Sequence, residues 1–133
     1  MLSIFPQLFF LEQLAPFLLR LALGVIFIAH GYQKLFGNLQ GTADSFHFQE
    51  IRHAKAWAVI AGALELAGGV LLLAGFLTQL GAILAIIDRL GAISRTKFKK
   101  GFIGGYELDL ALIAMAAATL VLGPGFFSID LPL

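Results

Sequence analysis

The stretch AWAVIAGALELAGGVLLLAGFL, from Ala56 to Leu77, decides the fold. A helix rises about 1.5 Å per residue, so residues 56–77 reach across the ~30 Å hydrocarbon core of a bilayer. Glu65, the one charged residue in the run, sits close to its middle. The run does not alternate with period two, and an open strand in lipid leaves its backbone groups unpaired. The segment therefore reads as a transmembrane helix.

Three further segments read the same way: residues 15–36 (APFLLRLALGVIFIAHGYQKLF), 79–94 (QLGAILAIIDRLGAIS) and 106–122 (YELDLALIAMAAATLVL). The span over 79–94 is the shortest and most polar. Only a few residues separate it from the span before it, so those two should be antiparallel neighbours. The expected architecture is all-α, a polytopic antiparallel four-transmembrane-helix bundle forming one domain over residues 1–133. The leading MLSIFPQLFFLEQ lacks the basic n-region and A-x-A site of a cleavable signal peptide. It reads as a short N-terminal interfacial helix, or equally as a lipid-facing extension of the first span.

Composition agrees with a lipid environment. Hydrophobic residues make up 59% of the chain and charged residues 13%, against about 45–50% and 25% in soluble domains. A net charge of +1 with no basic stripe excludes nucleic acid as a partner. The absence of cysteine removes thiol–disulfide chemistry and cysteine-ligated zinc or iron–sulfur sites.

Basic residues set the expected orientation. Arg95, Lys97, Lys99 and Lys100 mark the 95–105 loop, and Arg52 and Lys55 mark the 37–55 loop. Both loops are placed in the cytoplasm and both termini outside. The 37–55 loop is the longest connection and the expected lid or partner surface. Small residues recur at packing intervals: Gly24 and Gly31; Ala58, Gly62 and Gly69; Gly81, Ala85 and Ala92; Ala111, Ala114 and Ala118. Such seams let membrane helices approach closely. Glu65 and Asp88 fall on these seams and should face the bundle interior.

Ionisable groups inside the spans are the functional clue, because a charge at membrane depth is costly unless it is paired or wetted. Measured from the cytoplasmic helix ends, Lys34 and Glu107 lie about 3 Å deep and Asp109 about 6 Å. His30, Asp88 and Arg89 lie roughly 9–10 Å deep, and Glu65 about 15 Å. These seven residues form the candidate ligand-binding set. Glu65 and His30 are the candidate proton-handling groups within it, and Phe27 and Phe36 are candidate stacking rings. Glu65 reads equally as a structural partner of His30, Lys34 or Arg89. Asp88 and Arg89 are neighbours in sequence and point about 100° apart, so each is expected to seek a partner on another helix. Glu107 and Asp109 sit in a first helical turn, where the dipole favours anions, and read equally as capping charges. No HxxxH or ExxH pattern is present, so no metal site is expected. Arg20 lies toward the outer side, where Asp130 should return after the Gly-Pro-Gly break, and the two are expected to pair and pin the C-terminal tail. Trp57 and Tyr106 read as interfacial anchors.

Taken together, Arg20-x-x-x-Gly24 leading into His30-Gly31-x-x-Lys34-Leu-Phe-Gly37, then Glu65-Leu-x-Gly68-Gly69, Glu107-Leu-Asp109 and Gly123-Pro-Gly125-x-x-Ser128-x-Asp130 resemble the DoxX family. The resemblance runs in order over nearly the whole chain. It implies a small four-helix protein of the bacterial inner membrane, in a family named after a subunit of thiosulfate:quinone oxidoreductase. The Asp88-Arg89 pair departs from the more apolar sequence expected at that point.

Three functions fit these residues. One is a redox-linked subunit binding a quinone or another lipid-soluble ligand through His30, Lys34 and Glu65. Another is a non-enzymatic assembly protein for other membrane proteins or for a second copy of itself. The third is a small transporter that works as an oligomer. A homodimer is compatible with all three.

Overall fold

A computed structural model describes residues 4–48, 50–94 and 101–130. Every regular element among them is helical. A six-residue 3-10 turn over Pro6–Leu11 leads into α1, Leu14–Tyr32. Pro16 sits near the start of α1, where its missing N–H costs nothing. The helix then widens through Gln33–Gly37. α2 covers Leu39–Phe48, α3 Ala54–Ala74, α4 Thr78–Ala92 and α5 Glu107–Leu122, with a wide turn over Phe102–Tyr106 before α5.

Three helical stretches are long and apolar enough to cross a membrane: Leu14–Gly37, Ala54–Ala74 and Phe102–Leu122. α4 is shorter, at 15 residues. It packs between α3 and α5, while α1 packs against α3 and, less extensively, α5. The four helices therefore close a ring. α3 ends at Gly75, whose φ of 68° is a left-handed stop. α4 begins three residues later, so the two helices turn back on each other.

The 37–55 connection is not the open loop expected from sequence. It contains α2, which lies against α3. Asn38 starts this helix, its Oδ1 accepting a hydrogen bond from the Gly41 amide at 3.1 Å, the usual work of an N-cap asparagine.

Glycines set the α1–α3 spacing. A methyl placed on Gly31 would lie 2.5 Å from the Leu66 nitrogen, and one on Gly69 would lie 2.7 Å from the Ile28 nitrogen. The α1 and α3 seams thus meet each other. The α5 seam differs from expectation: Asp109, Leu112, Ala116 and Thr119 are buried, while Ala111 and Ala114 face outward. Alanine is apolar enough for lipid, so its spacing alone does not identify a packed face. The core consists of Leu23, Phe27, Leu72, Ala82, Ala85, Leu112 and Ala116. It separates two polar centres, one toward each end of the bundle.

The first centre pins the C-terminal tail. Arg20 is fully buried. Its Nε donates to Pro124 O at 2.6 Å, Nη1 to Leu72 O and Leu73 O at 3.0 and 3.3 Å, and Nη2 to Phe126 O and Phe127 O at 2.5 and 3.1 Å. Leu72 and Leu73 lie in the last turn of α3, where carbonyls lack partners within the helix and a cation suits the dipole. Asp130 makes no ion pair with Arg20, contrary to the sequence expectation. Its carboxylate accepts from the Leu77 amide at 2.9 Å, the Thr78 amide at 2.8 Å and Thr78 Oγ1 at 2.6 Å, capping α4. Burial works to raise the Asp130 carboxyl, but the Thr78 and Leu77 bonds and the Arg20 charge outweigh it and hold the group below its ordinary value. Arg20 and Asp130 both hold the tail, each through backbone.

Candidate functional site

The second polar centre is built on Arg89, which the α4 register turns inward and leaves only 5% exposed. Its guanidinium reaches three carboxylates, one on its own helix and two on neighbouring ones. Nη1 donates to Asp109 Oδ1 of α5 at 2.9 Å. Nη2 donates to Glu65 Oε1 of α3 and, at 2.5 Å, to Asp88 Oδ2. Nε donates to the same Asp88 oxygen at 3.0 Å. Glu65 Oε1 also accepts from Lys34 Nζ, in the widened turn after α1, at 2.5 Å. The Phe27 ring packs against the guanidinium at 5.3 Å, a favourable face for a cation. The planar, five-donor fork of arginine suits several carboxylates at once better than an ammonium does.

Above this network lies a cavity of about 580 Å³, whose lining includes His30, Lys34, Asp88 and Arg89. Small-molecule sites commonly span roughly 300–1,000 Å³. Trp57, Ile60 and Leu64 of α3 and Ile87 of α4 give it apolar walls. α2 roofs it with Gly41, Thr42, Ser45 and Phe46. The site has an apolar body and a charged floor.

The structure thus brings Lys34, Glu65, Asp88, Arg89 and Asp109 into one network and sets His30 in the cavity wall beside it. It does not bring Glu107 there. Glu107 is exposed, and its Oε1 accepts from the Gly104 amide at 3.0 Å, which is work for a helix start. Asp88 and Arg89 do bond each other, against the expectation from their angular offset. The arginine side chain is long enough to fold back across its own turn. Phe27 lies buried beneath Arg89, whereas Phe36 is exposed and packs on Tyr32 at 5.2 Å. Neither ring lines the cavity. Trp57 and Phe46 hold that position, together with Asn38, Thr42 and Ser45, which sequence reasoning did not single out. The asparagine cap was their available signal, because a helix beginning at Leu39 carries these side chains as a set. The basic residues Arg95, Lys97, Lys99 and Lys100 lie outside the described residues.

The DoxX family model matches residues 15–98 of this sequence. The chain belongs to the DoxX family. The matched segment carries four of the five network residues, Asp109 being the exception. Among similar DoxX relatives, "Putative oxidoreductase CatD" of Bacillus subtilis is 32% identical over 118 residues, covering 89% of this chain and 86% of that protein. "Uncharacterized membrane protein Rv3486" of Mycobacterium tuberculosis is 32% identical over 125 residues, covering 84% of this chain and 77% of that one. No solved structure gives a significant match. This DoxX chain is a helical membrane protein, and lipid is the solvent of its exposed apolar faces.

Proposed function

We propose that this DoxX protein is a redox-linked subunit of the bacterial inner membrane that binds a quinone-type or other lipid-soluble ligand beneath α2. The observation that carries this reading is the cavity of about 580 Å³, with Trp57, Ile60, Leu64 and His30 in its wall and Lys34, Asp88 and Arg89 on its floor. Apolar walls accept a ring and isoprenoid chain. A Lys34 ammonium or an Arg89 N–H suits a quinone carbonyl, and the Asp88 carboxylate suits a hydroxyl of the reduced form. The name of the CatD relative supports redox work. The chain has no cysteine, so electrons come from a partner protein or a bound cofactor.

In this reading α4 crosses the membrane as the fourth helix of a single domain, and the 3-10 turn at Pro6–Leu11 lies in the outer interface. The α2 end faces the cytoplasm, where Arg52 and Lys55 agree with the basic-side rule. Tyr32, Trp57 and Tyr106 all belong to that end, as interfacial aromatics should.

Trp57 is the sole tryptophan, so its fluorescence reports on the cavity directly. A short-chain ubiquinone analogue is expected to quench it saturably. Lys34→Met should weaken binding about tenfold or more, the usual cost of losing a charged hydrogen bond. Quenching that rises linearly without saturation, unchanged by Lys34→Met, would contradict the proposal.

A further inference from the structure

α3 and α4 lie close together at one end and part at the other. The α4 face turned to α3 runs through Gly81, Leu84, Asp88 and Gly91, spaced three or four residues apart. A methyl placed on Gly81 would lie 3.1 Å from the Leu72 side chain, and one on Gly68 would lie 3.6 Å from that of Leu84. A methyl on Gly91, further along the same face, would meet nothing within 4 Å among the described residues. Glycine is a poor helix former, and the other glycines of α3 and α4 each have a close neighbour that a side chain would crowd. No such neighbour accounts for Gly91. It lines the cavity instead, as do Ile60 of α3 and Ile87 of α4. Those two isoleucines are 44% and 56% exposed, so lipid reaches them from outside while the cavity meets them from within. The gap where α3 and α4 part therefore opens the cavity sideways into the bilayer.

We propose that Gly91 is the sill of a side portal between α3 and α4, through which the apolar tail of the ligand runs out into lipid while its headgroup lies against Lys34, Asp88 and Arg89. The ligand class is then narrower than a lipid-soluble molecule: it is an amphiphile with a polar ring at one end and a flexible apolar chain at the other. It enters from the bilayer and not from the aqueous phase. α2 covers the cavity on its aqueous side with Thr42 and Phe46, whereas the portal wall is isoleucine and glycine. A tail that stays in lipid throughout binding is never transferred into water, a step that would oppose entry from the other side. A side chain at position 91 would stand in the gap, and glycine leaves it clear. The acyl chain of an ordinary bilayer lipid is the competing occupant.

The portal rests on the ligand reading above, and two probes separate them. One is the ubiquinone headgroup without a tail, the other the same headgroup with a decyl chain. Each is titrated against Trp57 fluorescence in phosphatidylcholine vesicles, with concentrations counted per lipid. The wild type should bind the tailed probe at least as tightly as the tailless one. Gly91→Leu fills the gap and should lower the ratio of tailed to tailless affinity about tenfold, as overpacking of a fitted space does. Ala61→Leu, which adds bulk to the cavity wall from α3, should lower it in the same way and stands in if Gly91→Leu does not fold. A ratio that stays within about twofold of wild type overturns the portal, and so does an equal loss for both probes. A wild type that takes the tailless probe and rejects the tailed one also overturns it, because bilayer lipid then fills the gap. Each of these results leaves saturable quenching, and with it the ligand reading, in place. A wild type that neither probe quenches saturably sinks the ligand reading and the portal together.

Discussion

Replacing Arg89 with leucine is expected to destabilise the folded protein by about 3–5 kcal/mol, the usual cost of leaving buried charges without their partner. Arg89 joins Glu65, Asp88 and Asp109 through one guanidinium. Without it Glu65 keeps its bond to Lys34 but loses the guanidinium that ties it to α4. Loss of the guanidinium also empties the space over Phe27. The measurement is thermal or denaturant unfolding in detergent. Arg89→Lys should recover only part of the loss, since an ammonium cannot present two nitrogens to two helices. A double replacement of Arg89 and Asp109 by leucine and asparagine should be milder than the sum of the single changes, because it removes both members of one pair. Additive losses would show that the network members act independently.

Replacing Arg20 with leucine is the second large effect. Five backbone carbonyls converge on this side chain, from Leu72, Leu73, Pro124, Phe126 and Phe127. Each buried acceptor left unsatisfied costs about 1–3 kcal/mol. Water entering at the bundle end relieves part of this, so a net loss of roughly 3 kcal/mol is expected. The tail should also become protease-sensitive beyond Leu122, and cleavage there is the clearer signal. Arg20→Lys should not restore the tail, because three donors on one nitrogen cannot span carbonyls from two segments. An intact, protease-resistant tail in Arg20→Leu would show that Asp130 and the Phe17–Phe127 contact at 5.0 Å suffice to hold it.

Asp130 gives the same clamp a pH dependence. Its carboxyl is held below its ordinary value in the folded protein. A depressed acid stabilises the fold fully above the unfolded value of about 3.9 and loses that contribution as pH falls through the folded value. Asp130→Asn should therefore lower stability at neutral pH and flatten the decline on acidification.

The helices were legible because lipid imposes a single strong rule: long apolar runs must be helical. Glu65 and Asp88 could be placed inward because small residues flank them at helical spacing. Three features escaped. α2 reads as a loop because its composition is mixed and its one local signal is the Asn38 cap. The Asp88–Arg89 bond escaped because backbone angles place Cβ atoms, while a long side chain chooses its own path. The roles of Glu107 and Asp109 separated only in three dimensions. Two residues apart on α5, one turns to the helix start and the other to Arg89. The tail clamp was foreseen as an ion pair between Arg20 and Asp130, yet both residues spend their charge on backbone groups. Sequence marks the charged residues at an end but not the carbonyls and amides that the fold delivers to them.

The most direct test of the central claim is native mass spectrometry of the protein released from its own membranes in mild detergent. A stoichiometric adduct of quinone mass on the wild type, reduced or lost in Lys34→Met, is the expected result. A wild-type protein that flies bare, or bound only to another protein, would contradict a ligand site beneath α2 and favour an assembly role.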